Sequence, residues 1–100
     1  MILAIDVGNT SIVLGCVEKG EVLSTARLSS DVHKTEHEYA YAMREVLSAQ
    51  GVDCTALEGA IISSVVWPLT DVMQEAVRIL TGKSIRRKRR AMLSTRVFCL

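Results

Sequence analysis

Near the amino terminus, an acidic residue and a glycine-containing turn occur together in the order Asp6-Val7-Gly8-Asn9-Thr10. A carboxylate at the end of a strand can bind Mg²⁺, which prefers hard oxygen ligands. Gly8 has no Cβ, so the backbone can approach an anion closely, and the residues after it offer amide and hydroxyl donors. The stretch therefore has the chemistry to hold a metal-bound phosphate group.

The same five residues are also typical of an ordinary β-hairpin turn, because Gly-Asn sequences are common in such turns. Short motifs frequently match by chance. The phosphate interpretation therefore depends on the elements that surround the turn.

The first thirty residues have the pattern of strands. Residues 2–5 are a short, continuous apolar run before Asp6, which predicts a strand buried on both faces. Residues 11–17 are rich in β-branched side chains, residues 18–21 resemble a turn, and residues 22–28 alternate imperfectly. These features predict three adjacent strands joined as a meander.

A helix is predicted next, because Thr35 and Glu38 have the spacing of a capping box, in which each side chain satisfies the other residue's backbone amide. The helix should run to about residue 50, with Gly51 after it. Its apolar residues recur at the helical period, so one face should pack on the sheet. That face contains Tyr39, Met43, Val46 and Leu47.

Residues 59–66 predict a fourth strand, and a second helix should begin near Pro68, whose missing amide hydrogen needs no partner in a first turn. Gly82 is expected to end that helix. Its apolar stripe contains Leu69, Val72, Met73, Ala76, Val77 and Leu80. The predicted order of elements is βββαβα, which belongs to the α/β class.

The end of the chain has a different composition. Residues 1–82 contain all 11 acidic residues and five basic ones, a net charge of −6, whereas residues 83–100 contain seven basic residues and no acid. Residues 84–100 show neither strand alternation nor a helical stripe, and we predict a disordered basic tail. Its five consecutive cations at residues 86–90 lack interleaved aromatic residues and any recognisable binding module, so nucleic-acid binding is not expected.

The remaining composition indicates a cytoplasmic protein. Cys16, Cys54 and Cys99 are odd in number and have no CxxC spacing, so neither a disulfide framework nor a zinc site is expected. His33 and His37 are interpreted as solvated polar residues, because a metal site needs further ligands. The first residues lack the basic segment of a signal peptide, and no apolar run approaches the roughly 20 residues that span a bilayer.

Several motifs in one order resemble type III pantothenate kinases. Residues 1–10 resemble the first phosphate motif of that family, Asp-x-Gly-Asn-Thr. The resemblance covers residues 1–83 and continues through Arg27-Leu28, Thr35-Glu36-His37-Glu38-Tyr39, Ile62-Ser63-Ser64-Val65-Val66 and Pro68-Leu69-Thr70. It implies the ribonuclease-H-like fold of the superfamily of acetate kinase, hexokinase and actin, in which two such domains bind ATP between them. The order βββαβα is the beginning of one such domain.

The resemblance also implies an activity, which is transfer of the ATP γ-phosphoryl group to pantothenate, the first step of coenzyme A biosynthesis. It implies Mg²⁺, a monovalent cation (K⁺ or NH₄⁺) and a homodimer. Asp6 would place the metal-bound phosphates. Residues 1–83 would form the ATP-phosphate-binding subdomain, and the residues that line the ATP site would be Asp6, Val7, Gly8, Asn9, Thr10, Ser11, Ile12 and Val13.

Some family features are missing from these 100 residues. The Gly-Ala-Asp-Arg segment that carries the catalytic base in the family does not occur, so no catalytic residue is assigned here, and we expect a truncated chain that is inactive alone. Trp67 replaces a proline of the family pattern, which should have only a local effect. Residues 84–100 do not resemble the family. A reading-frame change, a miscalled gene end or a true truncation would each explain this loss of resemblance. The alternatives are a non-catalytic nucleotide-binding fragment and a regulatory protein similar to Bvg accessory factor.

Overall fold

The computed structural model describes residues 1–84, 86–87 and 95–100. The described elements are three strands, a helix, a strand, a helix and two further strands. A 3-10 turn, Cys54–Ala56, precedes the fourth strand. Their bounds are β1 Ile2–Val7, β2 Ser11–Glu18, β3 Glu21–Ser29, α1 Glu36–Ala49, β4 Gly59–Ser64, α2 Trp67–Thr81, β5 Arg86–Arg87 and β6 Thr95–Cys99. The predicted α/β class is confirmed.

The strands form one mixed sheet in the order β3-β2-β1-β4-β6-β5. β1 pairs with β2, and β2 with β3, in antiparallel fashion, as expected for a meander. β1 and β4 are parallel, and α1 lies in the connection that returns the chain to the sheet. Parallel neighbours end at the same edge, so the end of β4 lies beside the turn that follows β1.

Both helices cover the same face of the sheet and pack against each other. Leu3, Ile5 and Val7 of β1 are buried in this core, whereas Ala4 is partly exposed and Asp6 is exposed. The prediction that β1 is buried on both faces is therefore wrong. A continuous apolar run does not reveal that two helices will lie on one side, and no described helix covers the other side of the sheet. We call that side the open face.

The helix ends agree with the sequence signals. The Glu38 amide donates to Thr35 Oγ1 at 3.2 Å and the Thr35 amide donates to Glu38 Oε1 at 3.1 Å, which completes the capping box. Pro68 lies in the first turn of α2, and Gly82 ends it in the left-handed conformation with φ of 67°. Among the described residues, no helix is both long and apolar enough to cross a membrane.

The buried faces of the helices differ slightly from the predicted stripes. Val46 and Val72 are only partly buried, while Ala40 and Thr70 join the buried set. Trp67 occupies the first position of α2 with 66% of its surface exposed, so its side chain lies outside the core.

The end of the chain is not wholly irregular. Thr95–Cys99 forms β6 beside β4, and the Phe98 side chain is only 2% exposed in the core. Arg96 Nη1 donates to Asp71 Oδ1 at 2.6 Å, which ties β6 to α2. The prediction of a disordered tail is therefore wrong for these residues, because the pairing partner β4 lies far away in sequence. Residue 85 and residues 88–94, with most of the basic run, lie outside the described residues.

Candidate phosphate-binding site

The turn between β1 and β2 is closed by a hydrogen bond from the Gly8 amide to the Ser11 carbonyl at 2.9 Å. A Cβ atom at Gly8 would lie 3.1 Å from that same carbonyl oxygen, which is closer than side-chain carbons normally approach. Glycine is therefore favoured at this position by the close approach of two backbone segments.

Polar groups at the tip of this turn are open to solvent. The side chains of Asn9 and Thr10 are exposed, and so is Asp6 at the end of β1. The backbone amides of Asn9 and Thr10 have no acceptor in the part of the chain that the structure describes. Backbone N–H groups in a turn can bind an anion when they converge on it. The turn therefore offers hydrogen-bond donors, with a carboxylate near them.

The eight residues assigned to the ATP site fall into three groups. Asp6 and Val13 lie on the open face, and residues 8–11 form the turn and the start of β2. Val7 and Ile12 are fully buried on the face that the helices cover. Their side chains cannot reach a ligand on the open face, so only their main-chain atoms are available near the turn.

Strand pairing brings further polar residues to the same place. Asp6 is paired with Val13 on β2 and with Ser63 on β4, and Val13 is paired with Arg27 on β3. Directly paired residues point to the same face of a sheet, so these four residues form a row on the open face. Arg27 Nη1 donates to Ser11 Oγ at 2.9 Å. The row combines a carboxylate, a hydroxyl and a guanidinium near the turn.

A shallow depression of about 270 Å³ continues from this row along the open face. Asp6, Val13 and Ser63 line one end, and Ala4, Gly15 and Ile61 extend it along the sheet. The depression is lined mostly by apolar atoms, whereas the row presents a carboxylate, a hydroxyl and a guanidinium.

Ser30 directly follows β3 and makes two hydrogen bonds to the turn. Its hydroxyl donates to the Gly8 carbonyl at 2.6 Å, and its amide donates to the Thr10 carbonyl at 3.0 Å. The next residue, Asp31, is held by the Tyr39 hydroxyl, which accepts from its amide and donates to its carbonyl, both at 2.8 Å. No sequence motif pointed to Ser30, because a lone hydroxyl residue after a strand has no distinctive pattern.

The Tyr39 hydroxyl can make both hydrogen bonds because it retains its proton. Burial raises the pKa of Tyr39, since the phenolate would lose its hydration, and this effect exceeds the lowering of the pKa by the hydrogen bond with the Asp31 backbone. Tyr39 is fully buried, whereas Tyr41 is 66% exposed on the other side of α1. The interpretation of Tyr39 as a residue of the packed face agrees with its burial.

The residues near the turn are suited to a metal ion that binds together with a phosphate ligand. The described residues contain no group of three or more His, Cys, Asp or Glu side chains that could hold a metal ion. Mg²⁺ in nucleotide sites is commonly held by one or two carboxylates together with substrate phosphates and water. A single exposed carboxylate, Asp6, fits that pattern. His33 and His37 are both exposed and lie outside the row.

The fold and this site define a small α/β domain with a donor-rich turn and a carboxylate at the ends of two parallel strands. Comparisons with known proteins give the family. The model of the type III pantothenate kinase family matches residues 2–95. A type III pantothenate kinase of Moorella thermoacetica is 43% identical over 77 residues, which are 77% of this chain and 30% of that protein. The chain belongs to the type III pantothenate kinase family.

Two features of these matches bear on the sequence predictions. The family match extends to residue 95, beyond residue 83, where the resemblance in the motifs was expected to end. The chain spans 30% of the length of the curated relative.

Proposed function

We propose that this chain supplies the ATP-phosphate-binding part of a type III pantothenate kinase. The complete enzyme would transfer the γ-phosphoryl group of ATP to pantothenate and form 4′-phosphopantothenate. The observation that carries the proposal is the placement of Asp6 and Ser63 side by side on the open face, next to the exposed turn, in a chain of this family.

Phosphoryl transfer depends mainly on positioning and on stabilisation of charge. In the proposed site, the Asn9 and Thr10 amides would donate to phosphate oxygens, and the Asp6 carboxylate would hold the metal. Mg²⁺, when bound, neutralises charge on the phosphates. Arg27 lies in the same row, and its guanidinium is already oriented by Ser11. Its positive charge would offset part of the negative charge of the nucleotide.

The family resemblance suggests the superfamily, the oligomeric state, the monovalent cation and the source of the catalytic base. We place the chain in the actin-like superfamily, with ATP held between this ribonuclease-H-like domain and a second one. The antiparallel strands β1, β2 and β3, followed by α1 and by β4 parallel to β1, support that placement. The complete enzyme is proposed to be a cytoplasmic homodimer that uses K⁺ or NH₄⁺. The catalytic base would come from the Gly-Ala-Asp-Arg segment, which does not occur in residues 1–100.

A chimeric enzyme tests the proposal. Residues 1–83 would replace the matching segment of the Moorella thermoacetica relative, and phosphopantothenate formation would be measured with ATP, Mg²⁺ and K⁺. We expect turnover above background, and the same chimera with Asp6→Asn serves as the control. A folded chimera that binds ATP without turnover would instead favour the non-catalytic nucleotide-binding alternative. Tight binding of a specific DNA sequence would favour the regulatory alternative.

A further inference from the structure

We propose that Ser30 and Tyr39 are positioning residues that fix the geometry of the phosphate-binding turn, with Tyr39 acting through Asp31. The inference rests on the proposed function of that turn and extends it to residues outside the segment 6–13. Neither side chain needs to contact the nucleotide.

Ser30 binds two carbonyl groups of the turn. The Gly8 carbonyl accepts from the Ser30 hydroxyl at 2.6 Å, and the Thr10 carbonyl accepts from the Ser30 amide at 3.0 Å. A carbonyl and the amide of the next residue belong to one planar peptide unit, and in a trans unit they point in opposite directions. None of the described peptide bonds is cis. Holding the Gly8 carbonyl therefore directs the Asn9 N–H away from Ser30.

Tyr39 restrains the backbone that follows Ser30. Tyr39 lies in the first turn of α1, is fully buried, and its hydroxyl binds both backbone groups of Asp31. A single side chain that engages the amide and the carbonyl of one residue restrains that residue's backbone. Lys34 Nζ lies 5.7 Å from the centre of the Tyr39 ring and covers it from the loop side. The loop from β3 to α1 is thereby fixed to the helix, and Ser30 is fixed with it.

The hydrogen bonds of Tyr39 and Ser30 form one chain of contacts from α1 to the phosphate-binding turn. The hydroxyl of Tyr39 holds Asp31, the neighbouring Ser30 holds the carbonyls of the turn, and the Asn9 amide points away from Ser30 with no acceptor among the described residues. An amide that is oriented before the anion arrives does not lose further backbone freedom on binding. Removal of either hydroxyl should therefore weaken phosphate binding without removal of a ligand contact.

The experiment uses the 100-residue chain labelled with ¹⁵N and compares Ser30→Ala, Ser30→Thr and Tyr39→Phe with the parent protein. Two quantities are measured by nuclear magnetic resonance: hydrogen exchange without nucleotide of the Gly8 and Ser30 amides, which donate to carbonyls of the turn, and affinity for MgATP. The controls are Ser48→Ala and Tyr41→Phe, which alter exposed side chains of the same types on α1.

We expect Ser30→Ala and Tyr39→Phe to accelerate exchange in the turn and to weaken MgATP binding by about 3- to 10-fold, the effect of one typical hydrogen bond. Ser30→Thr, which keeps the hydroxyl, should restore most of the affinity, and the two controls should match the parent. If Ser30→Ala does not fold, Tyr39→Phe carries the test, because the ring remains in the core. Unchanged exchange and affinity in a folded variant would overturn the proposal.

The two readouts separate this inference from the proposed function. A parent chain that shows no MgATP-dependent shift at residues 8–11 would count against the phosphate-binding role of the turn. Faster exchange in Ser30→Ala, measured without nucleotide, would still support the restraint on the turn. Exchange equal to that of the parent would refute the restraint whether or not nucleotide binds.

Discussion

Asp6 on β1 and Ser63 on β4 are directly opposite each other in neighbouring parallel strands. Their side chains share the open face, at the end of the sheet where the β1–β2 turn emerges. The two residues are far apart in sequence, and the crossover through α1 brings them together. This juxtaposition gives the turn a carboxylate and a hydroxyl on the same side, which a single hairpin motif would not supply.

The first prediction concerns Asp6. In a full-length family kinase that carries residues 1–83 of this chain, Asp6→Asn should lower kcat at least about tenfold, equivalent to about 1.4 kcal/mol of barrier, because a neutral amide places the metal-bound phosphates poorly. The measurement is the initial rate of phosphopantothenate formation at saturating ATP. Glu45→Gln is the matched control, since Glu45 is an exposed acid on α1. Full activity of the Asp6 variant would refute the assigned role.

The second prediction concerns β6. Phe98 is almost fully buried between the sheet and the helices, so Phe98→Ala should lower the free energy of unfolding by about 3–5 kcal/mol through lost burial and a cavity. Urea unfolding of the 100-residue chain measures this change. Cys99→Ala, at the exposed neighbouring position of β6, should have little effect. Equal stabilities for the two variants would show that the strand does not pack in solution.

The third prediction follows from the raised pKa of Tyr39. Since the folded protein favours the protonated phenol, the contribution to stability is fully present below the unfolded pKa of about 10 and is lost as the pH rises through the higher folded pKa. Tyr39 is the only tyrosine in the Tyr41→Phe variant, because the chain has two tyrosines. Its tyrosinate absorbance should therefore appear at a higher pH than that of an ordinary, solvent-exposed tyrosine. Titration at the ordinary value would mean that the hydroxyl is accessible to water.

Local signals in the sequence predicted α1 and α2 well. Thr35 and Glu38 fix the start of α1, and Gly82 fixes the end of α2, because each acts within one turn of its own helix. The recurrence of apolar residues at the helical period likewise identified most of the buried positions in both helices. These features depend on neighbours within a few residues, so the sequence alone contains them.

Long-range contacts explain what sequence patterns did not predict. The open face of β1 depends on both helices packing on one side. β6 depends on a strand far earlier in the sequence, as the pairing of Ala60 with Phe98 shows. Ser30 acquires its role only when β3 ends beside the β1–β2 turn. In the same way, Asp6 was identifiable from its glycine turn, whereas Ser63 gained significance only from strand pairing.

The last prediction is that the 100-residue chain alone forms no measurable phosphopantothenate from ATP and pantothenate with Mg²⁺ and K⁺ present. The described turn offers one set of donors, and residues 1–100 contain no Gly-Ala-Asp-Arg segment to supply the proposed base. General-base catalysis typically contributes about 10²–10⁴-fold, and loss of positioning removes more, so any residual rate should match the background.

This prediction is checked by purifying residues 1–100, confirming the folded state by circular dichroism, and assaying radiolabelled pantothenate. A full-length family kinase assayed in parallel is the positive control, and the chain with Asp6→Asn is the matched negative control. MgATP binding without turnover would agree with a phosphate-binding role for the turn and a base outside these residues. Turnover near that of the full-length enzyme, abolished by Asp6→Asn, would show that these 100 residues contain a complete catalytic site, and the proposed origin of the base would be wrong.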